Sequence, residues 1–127
     1  MTPHKFPFSI AYADTDAGGI TYHARYIEIA ERARMNWKLG DLPPETVEEG
    51  GFVVRELSAK YIRPLRLGDE FVVESQIIKM GAASMVIEQK FVKDSEIYAI
   101  IRVTAAYIGA GGRPTRIPDG WEKLYQI

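Results

Sequence analysis

Phe6, Phe8, Ile10 and Tyr12 alternate with other residues at a period of two, the spacing of a strand that turns one face to a core. The pattern breaks at Gly18 and Gly19 and resumes at a helical period. From Ala24 to Leu39, Tyr26, Ala30, Ala33 and Trp37 fall at i, i+4, i+7 and i+11, and Ile27, Ile29 and Met35 widen the apolar stripe. Glu28, Glu31, Arg32 and Lys38 keep part of the helix wet. At ~1.5 Å per residue it would be roughly 24 Å long, with Gly40 as its C-terminal stop. Asp41 to Gly50, which includes Pro43 and Pro44, reads as a connecting loop with room for one short helical turn.

Beyond the loop the period returns to two. Phe52 to Ile62, Phe71 to Ile78, Ala83 to Val92 and Ile97 to Ile108 are β-rich, separated by Leu67-Gly68-Asp69, Met80-Gly81 and Lys93-Asp94-Ser95-Glu96. Separators this short predict antiparallel hairpins. In the last segment Ile97, Ala99, Ile101, Val103 and Ala105 alternate with Tyr98, Ile100, Arg102 and Thr104, so both faces are partly apolar and the strand is expected to be central. Pro64 marks a bend or the end of pairing in its strand. Gly109 to Pro118 reads as an exit loop, and Trp121 to Ile127 as a tail able to pack back. The expectation is a single α+β domain over residues 1–127, with one long helix covered by a curved five-stranded antiparallel sheet. A helix this apolar needs more cover than one flat sheet, and the sheet's open edges invite strand-to-strand dimerisation.

Composition narrows the function classes. At 127 residues and 46% hydrophobic content, the chain can bury a core of its own. The net charge is −1 with both signs interspersed, so a nucleic-acid backbone or an anionic membrane is a poor partner and a small molecule or a protein a better one. There is no cysteine, which removes disulfides, thiolate metal sites and a cysteine nucleophile and fits a reducing compartment. Met1-Thr2-Pro3-His4-Lys5 lacks the apolar core of a signal peptide, and no run reaches membrane-spanning length; the expected location is the cytoplasm.

Chemistry concentrates between Tyr12 and Tyr26, where two carboxylates, two glycines, a histidine and three tyrosines meet at a strand-to-helix junction. Asp16, just before Ala17-Gly18-Gly19 and close to the helix start, lies where the dipole and nearby amides favour negative charge; it can serve as base or nucleophile, or can merely cap the turn. Asp14 is the better cap. Gly18 and Gly19 serve any tight turn, or allow close backbone approach to a ligand carbonyl. His23 can orient a substrate, donate a hydrogen bond or simply be structural. His4 sits on an end expected to fray, and no carboxylate cluster accompanies either histidine, which argues against a metal site. The serines lack a nucleophile-elbow context. Tyr12, Tyr22 and Tyr26 read most simply as core aromatics, with the Tyr12 hydroxyl the best placed near Asp16. Arg55, Lys60, Arg63 and Arg66 read as a solvated strand face able to receive phosphates.

The run Tyr12-Ala13-Asp14-Thr15-Asp16-Ala17-Gly18-Gly19-Ile20-Thr21-Tyr22-His23-Ala24-Arg25-Tyr26, followed by Glu31-Arg32-Ala33-Arg34, resembles the signature of hotdog-fold acyl-CoA thioesterases. The likeness is to the 4-hydroxybenzoyl-CoA thioesterase group and its Tol-Pal-associated branch. Arg63-Pro64-Leu65-Arg66-Leu67-Gly68-Asp69 resembles the family's second-strand pattern, so the resemblance spans roughly residues 6 to 108. It implies a long central helix wrapped by a five-stranded sheet, homodimers that often pair into homotetramers, and hydrolysis of an acyl-CoA thioester without cofactor or metal. It further implies Asp16 as the catalytic carboxylate, a backbone N–H at His23 that polarises the thioester carbonyl, and the side chains of Tyr12 and His23 in the active site. Gly18, Gly19, Ile20, Tyr22 and Arg63 are then the expected substrate contacts. Ala13 and Thr21 depart from the family's common residues and bear on pocket shape. An acyl carrier protein thioester, or acyl binding without catalysis, are the alternatives this pattern leaves.

Overall fold

The computed structural model describes residues 3–37 and 50–118. β1 (His4–Ser9) leads through a short 3-10 turn (Tyr12–Asp14) to α1 (His23–Asn36). Then follow β2 (Gly50–Tyr61), β3 (Glu70–Met80), β4 (Ser84–Lys93) and β5 (Glu96–Gly109). The five strands form one sheet in the order β1-β3-β4-β5-β2, with every neighbouring pair antiparallel. The expected connecting loop up to Glu49, the stop at Gly40 and the tail from Trp121 lie outside the described residues.

Two of the three expected hairpins form, β3–β4 and β4–β5. The Leu67-Gly68-Asp69 separator does not join a hairpin: β2 pairs with β5 at the far edge, while β3 pairs with β1 and β4. The intervening segment docks instead on the turn before α1, with Leu65 fully buried. That docking supplies an apolar anchor and backbone partners that a tight hairpin would have lost. Pro64 does stand just past the end of pairing, since β2 stops at Tyr61 and the N–H groups of Ile62 and Arg63 both donate to the Tyr98 carbonyl. β5 is interior, with Ala99, Ile101, Val103 and Ala105 buried along one face, as its alternation predicts.

Helix α1 is 14 residues, about 21 Å long, and starts one residue earlier than its period suggests. It lies on one face of the sheet, its backbone closest to β1 and β3. Tyr26, Ile29, Ala30 and Ala33 make the buried stripe; the two alanines are completely buried, which lets the helix sit close to the strands. Met35, expected in the stripe, is 70% exposed because, two residues on from Ala33, it falls about 200° around the helix, on the face opposite the buried stripe. The strand period also overran: β1 ends at Ser9, and Tyr12 lies in the 3-10 turn at 82% exposure. His4, expected on a frayed end, is held in β1 by a bond to Asn36 Oδ1 and a stack on Trp37.

Phe91 is the ring around which the core is built. It stacks on Phe71 at 5.6 Å between centroids, meets Tyr26 at 5.3 Å and has no exposure. Phe91→Ala is expected to lower stability by about 4 kcal/mol in urea unfolding, from lost burial plus the cavity left among three elements. A loss under ~1 kcal/mol would show that the aromatic cluster is not what joins helix to sheet.

Candidate active site

Between β1 and α1 the chain reverses within a few residues, and the carboxylate of Asp14 closes the reversal from inside. Asp14 is 3% exposed; Oδ2 accepts the Ala11 N–H at 2.8 Å and Oδ1 accepts Nε–H of Arg25 at 2.6 Å. The bond to Asp14 holds the Arg25 guanidinium above its ordinary pKa, with a second contribution from the Glu28 contact at 2.5 Å. The Asp14 carbonyl accepts the Tyr22 N–H at 2.9 Å, so one residue ties the 3-10 turn, the residue before the helix and the first helical turn. Asp14 is the cap that its position suggests.

Asp16 occupies the tip of the reversal. Its N–H donates to Ile20 O at 2.9 Å and its carbonyl accepts the Gly19 N–H at 3.1 Å, closing a tight loop. Gly19 has φ +77°, a conformation that side chains resist. The Asp16 carboxylate is exposed, and Oδ1 accepts the Gly18 N–H at 2.9 Å. A Cβ on Gly18 would stand 3.3 Å from that oxygen, so glycine here permits the close approach. The capping and functional readings of Asp16 therefore coexist: one oxygen is held by the turn, while Oδ2 has no hydrogen-bond partner among the described residues.

The loop is seated on the segment after β2. Thr21 donates its N–H and its hydroxyl to the Leu65 carbonyl at 2.8 and 2.9 Å, Ile20 bridges Arg66, and the Leu65 N–H donates to the Tyr26 hydroxyl at 3.0 Å. Thus the two sequence segments that carry the family resemblance are in contact. Tyr22 stands at the helix N-cap and His23 is the first helical residue, whose N–H has no acceptor within the helix. From the end of β2, Tyr61 donates its hydroxyl to the His23 carbonyl at 2.8 Å and sets its ring edge-on to His23 and Tyr26. Burial, with Tyr26 beside it, raises the Tyr61 pKa above its ordinary value.

Beside the helix start lies an open cavity of about 240 Å³ lined by Ile20, Thr21, His23, Tyr26, Tyr61 and Arg63. Of the residues expected at the site, His23, Ile20 and Arg63 line it, and Arg63 is engaged by Glu96 at 2.5 Å. Asp16, Gly18 and Gly19 form the adjoining loop. Of the three tyrosines read as core aromatics only Tyr26 is buried; Tyr22 is 50% exposed, its ring 4.6 Å from that of His23. Tyr12 exposes its ring to solvent, and its hydroxyl makes no hydrogen bond among the described residues, to Asp16 or elsewhere. Tyr61 was missed because β2 reaches the helix start only through the sheet order; its place two residues ahead of Arg63 was the one available signal. Among the described residues no three His, Asp or Glu side chains converge as a metal site would require. Nor is any helix among them long and apolar enough to cross a membrane.

The profile of the thioesterase-like superfamily matches residues 10–123. An acyl-CoA thioesterase, YbgC of Haemophilus influenzae, is 32% identical over 119 residues, covering 90% of this chain and 88% of its own. The acyl-CoA thioester hydrolase YbgC of Escherichia coli O157:H7 is 36% identical over 97 residues, 72% of this chain and 70% of that protein. Among solved structures, a probable thioesterase from Bartonella henselae superimposes with a TM-score of 0.78 at 29% identity, covering 93% of this chain and all of that one. The five-stranded antiparallel sheet with one helix is thus a hotdog-like fold.

Replacing Asp14 by Asn removes the buried carboxylate that pairs with Arg25 and leaves Arg25 only its exposed partner Glu28. Asp14→Asn is expected to cost about 2 kcal/mol, or roughly 8 °C in thermal midpoint. Gly19→Ala meets no neighbouring atom and is expected to cost about 1 kcal/mol from backbone strain alone. Thermal scans of both variants check the ranking; a larger loss at Gly19 than at Asp14 would contradict it.

Proposed function

The chain belongs to the thioesterase-like superfamily and is a thioester hydrolase, and from that premise we propose that it cleaves acyl-CoA thioesters at the loop formed by Asp16 to Ile20. The observation that carries the assignment is the unbonded Oδ2 of Asp16, exposed in a loop tied to the first turn of α1. A thioester carbonyl set against the His23 N–H meets a helix N-terminus, where the dipole and an unsatisfied donor stabilise the oxyanion that forms on attack. Gly18 and Gly19 leave room for that approach, while Ile20, Tyr22 and Tyr61 offer surface to the acyl group. The imidazole of His23 lines the cavity, and Tyr12 is assigned to the site by the family resemblance alone. Arg63 can reach a phosphate of CoA once it exchanges Glu96 for it.

Two routes are open to the Asp16 oxygen. It can attack the carbonyl carbon, expelling the CoA thiolate and leaving a mixed anhydride that water opens. Otherwise it takes the proton of a water that attacks directly. Either route consumes one water and yields acid and thiol. Asp16→Asn is expected to lower kcat at least ~10²-fold with a smaller effect on KM, measured as thiol release from short-chain, long-chain and aromatic acyl-CoAs. Near-normal turnover in that variant would remove Asp16 from the mechanism. Wild-type turnover confined to acyl carrier protein thioesters would instead move the substrate to the carrier protein. In a single turnover in ¹⁸O-water, label in the Asp16 carboxylate marks the anhydride route.

The cavity opens beside the end of β2, one of the two edge strands of the sheet. Val53, Val54 and Tyr61 on that strand are 49%, 51% and 45% exposed, an apolar edge of the kind that pairs with another chain. A homodimer joined along β2 would cover it, with further pairing to a tetramer as the family resemblance implies. Light scattering is expected to give a dimer or tetramer mass for the wild type, falling to the monomer for Val54→Lys. A monomeric wild type would refute edge pairing.

A further inference from the structure

Three of the side chains that line the cavity beside the helix start carry a hydroxyl, and two of these are spent within the protein. Thr21 donates to the Leu65 carbonyl at 2.9 Å and Tyr61 to the His23 carbonyl at 2.8 Å. Tyr26 differs. Its oxygen accepts the Leu65 N–H at 3.0 Å, but its own proton has no acceptor among the described residues. At 3% exposure the side chain has little bulk water to turn to. A buried donor left unmet carries its full desolvation penalty, so a phenol in this position calls for an acceptor from outside the chain.

The helix brings that donor to the site. Tyr26 follows His23 by three residues, ~4.5 Å along the axis on an adjoining flank, and helical side chains lean toward the N-terminus. The Leu65 bond carries the hydroxyl further back, because the Leu65 carbonyl takes the N–H of Thr21, two residues before the helix. It therefore stands level with the first turn, where the His23 N–H has no acceptor within the helix. The ring is held against Phe91 at 5.3 Å and Tyr61 at 5.2 Å between centroids, so the O–H is oriented before any ligand arrives. A donor fixed in this way needs no reorganisation as charge develops.

Whatever its acyl group, a thioester carries a carbonyl oxygen, and such an oxygen has room for two donors. We propose that Tyr26 donates its hydroxyl proton to the thioester carbonyl oxygen, beside the His23 N–H, and is a catalytic residue in oxyanion stabilisation. On attack at the carbonyl carbon the C=O electron pair moves onto the oxygen and both hydrogen bonds strengthen. They relax when the pair returns and the thiolate leaves, and the phenol keeps its proton throughout. The catalytic consequence rests on the hydrolase reading, whereas the contact requires only that an acyl thioester binds here.

The test uses a butanoyl-CoA analogue in which a methylene replaces the thioester sulfur, which keeps the carbonyl and cannot be hydrolysed. Its carbonyl carbon is ¹³C-labelled, because hydrogen bonds to the oxygen move that resonance downfield. Binding to the wild type is expected to shift the signal downfield, and Tyr26→Phe to lose a large part of the shift while still binding the analogue. In thiol release, Tyr26→Phe should lower kcat ~10²-fold with KM within about threefold, equally for short-chain, long-chain and aromatic acyl-CoAs. Since Tyr26→Phe also strips the Leu65 N–H of its acceptor, Tyr26→3-fluorotyrosine provides a variant that keeps that bond. Its hydroxyl is the stronger donor, and it should move the bound signal further downfield. An unchanged resonance in Tyr26→Phe, no further shift with 3-fluorotyrosine, a kcat loss confined to acyl groups with an oxygen of their own, or an analogue that does not bind would each overturn the contact. A wild type that releases no thiol but shows the Tyr26-dependent shift loses the hydrolase reading and keeps the contact; normal turnover with an unchanged resonance does the reverse.

Discussion

Gln89 is a polar amide with no exposure inside an apolar core, and the position of the helix follows from satisfying it. Its N–H groups reach the Ala30 carbonyl on α1 and the Ser75 hydroxyl on β3, and its oxygen takes the Arg34 N–H. A buried amide that loses its partners carries a penalty of ~1–3 kcal/mol, so sliding α1 along the sheet by one turn is opposed at this point before any packing is counted. Ala30 and Ala33 permit the close approach that these bonds need. The two ends of the helix inherit their places from its middle: the His23 end against the Asp16 loop, the Arg34 end over Gln89 on β4.

The Asp16 loop is held by a different logic. Its backbone groups bond to each other and to the Leu65 segment, and the one buried charge near it, Asp14, is neutralised by Arg25. The Asp16 carboxylate therefore contributes little to holding the loop together. One of its oxygens takes a single backbone bond from Gly18, and the other is left to solvent. The structural carboxylate and the exposed one thus stand within three residues of each other, so the proposed chemistry at Asp16 is separated from the stability that Asp14 supplies. A substitution at Asp14 acts on folding, while one at Asp16 leaves most of the loop's bonds in place.

What could be read from the chain reflects where the information is local. The period-two strands, the helical stripe from Tyr26 to Ala33 and the capping role of Asp14 all depend on residues within a few positions of each other, and all appear as expected. The placement of β2 does not, because it is decided by a crossover whose anchor, Leu65, earns its burial only once the Thr21 segment is already in place. Tyr61 and Gln89 were invisible for the same reason: each acts on α1 from a strand tens of residues away. Periodicity also cannot tell a buried aromatic from one at the rim. Tyr12 and Tyr22 continue patterns that end in solvent, at the turn and the helix N-cap, where one more residue of the same type no longer faces the core.

The openness of the site bears on the class of reaction. Asp16, Tyr22 and His23 are all exposed, and the cavity beside them gives directly onto solvent. An enzyme that transfers an acyl group to a second substrate must keep water from the activated carbonyl, which calls for a closed and dry site. A hydrolase has no such need, because water is its second substrate. What it does need is an oriented donor for the oxyanion and a carboxylate free to act, and both can be supplied by a rigid backbone loop at the surface. A helix N-terminus suits that role, since its N–H groups are held by the helix itself and require no surrounding protein to keep their direction. The exposure that would be a fault in a transferase is here consistent with the chemistry, provided the loop stays rigid, and its network of backbone bonds between Asp14 and Leu67 is what keeps it so.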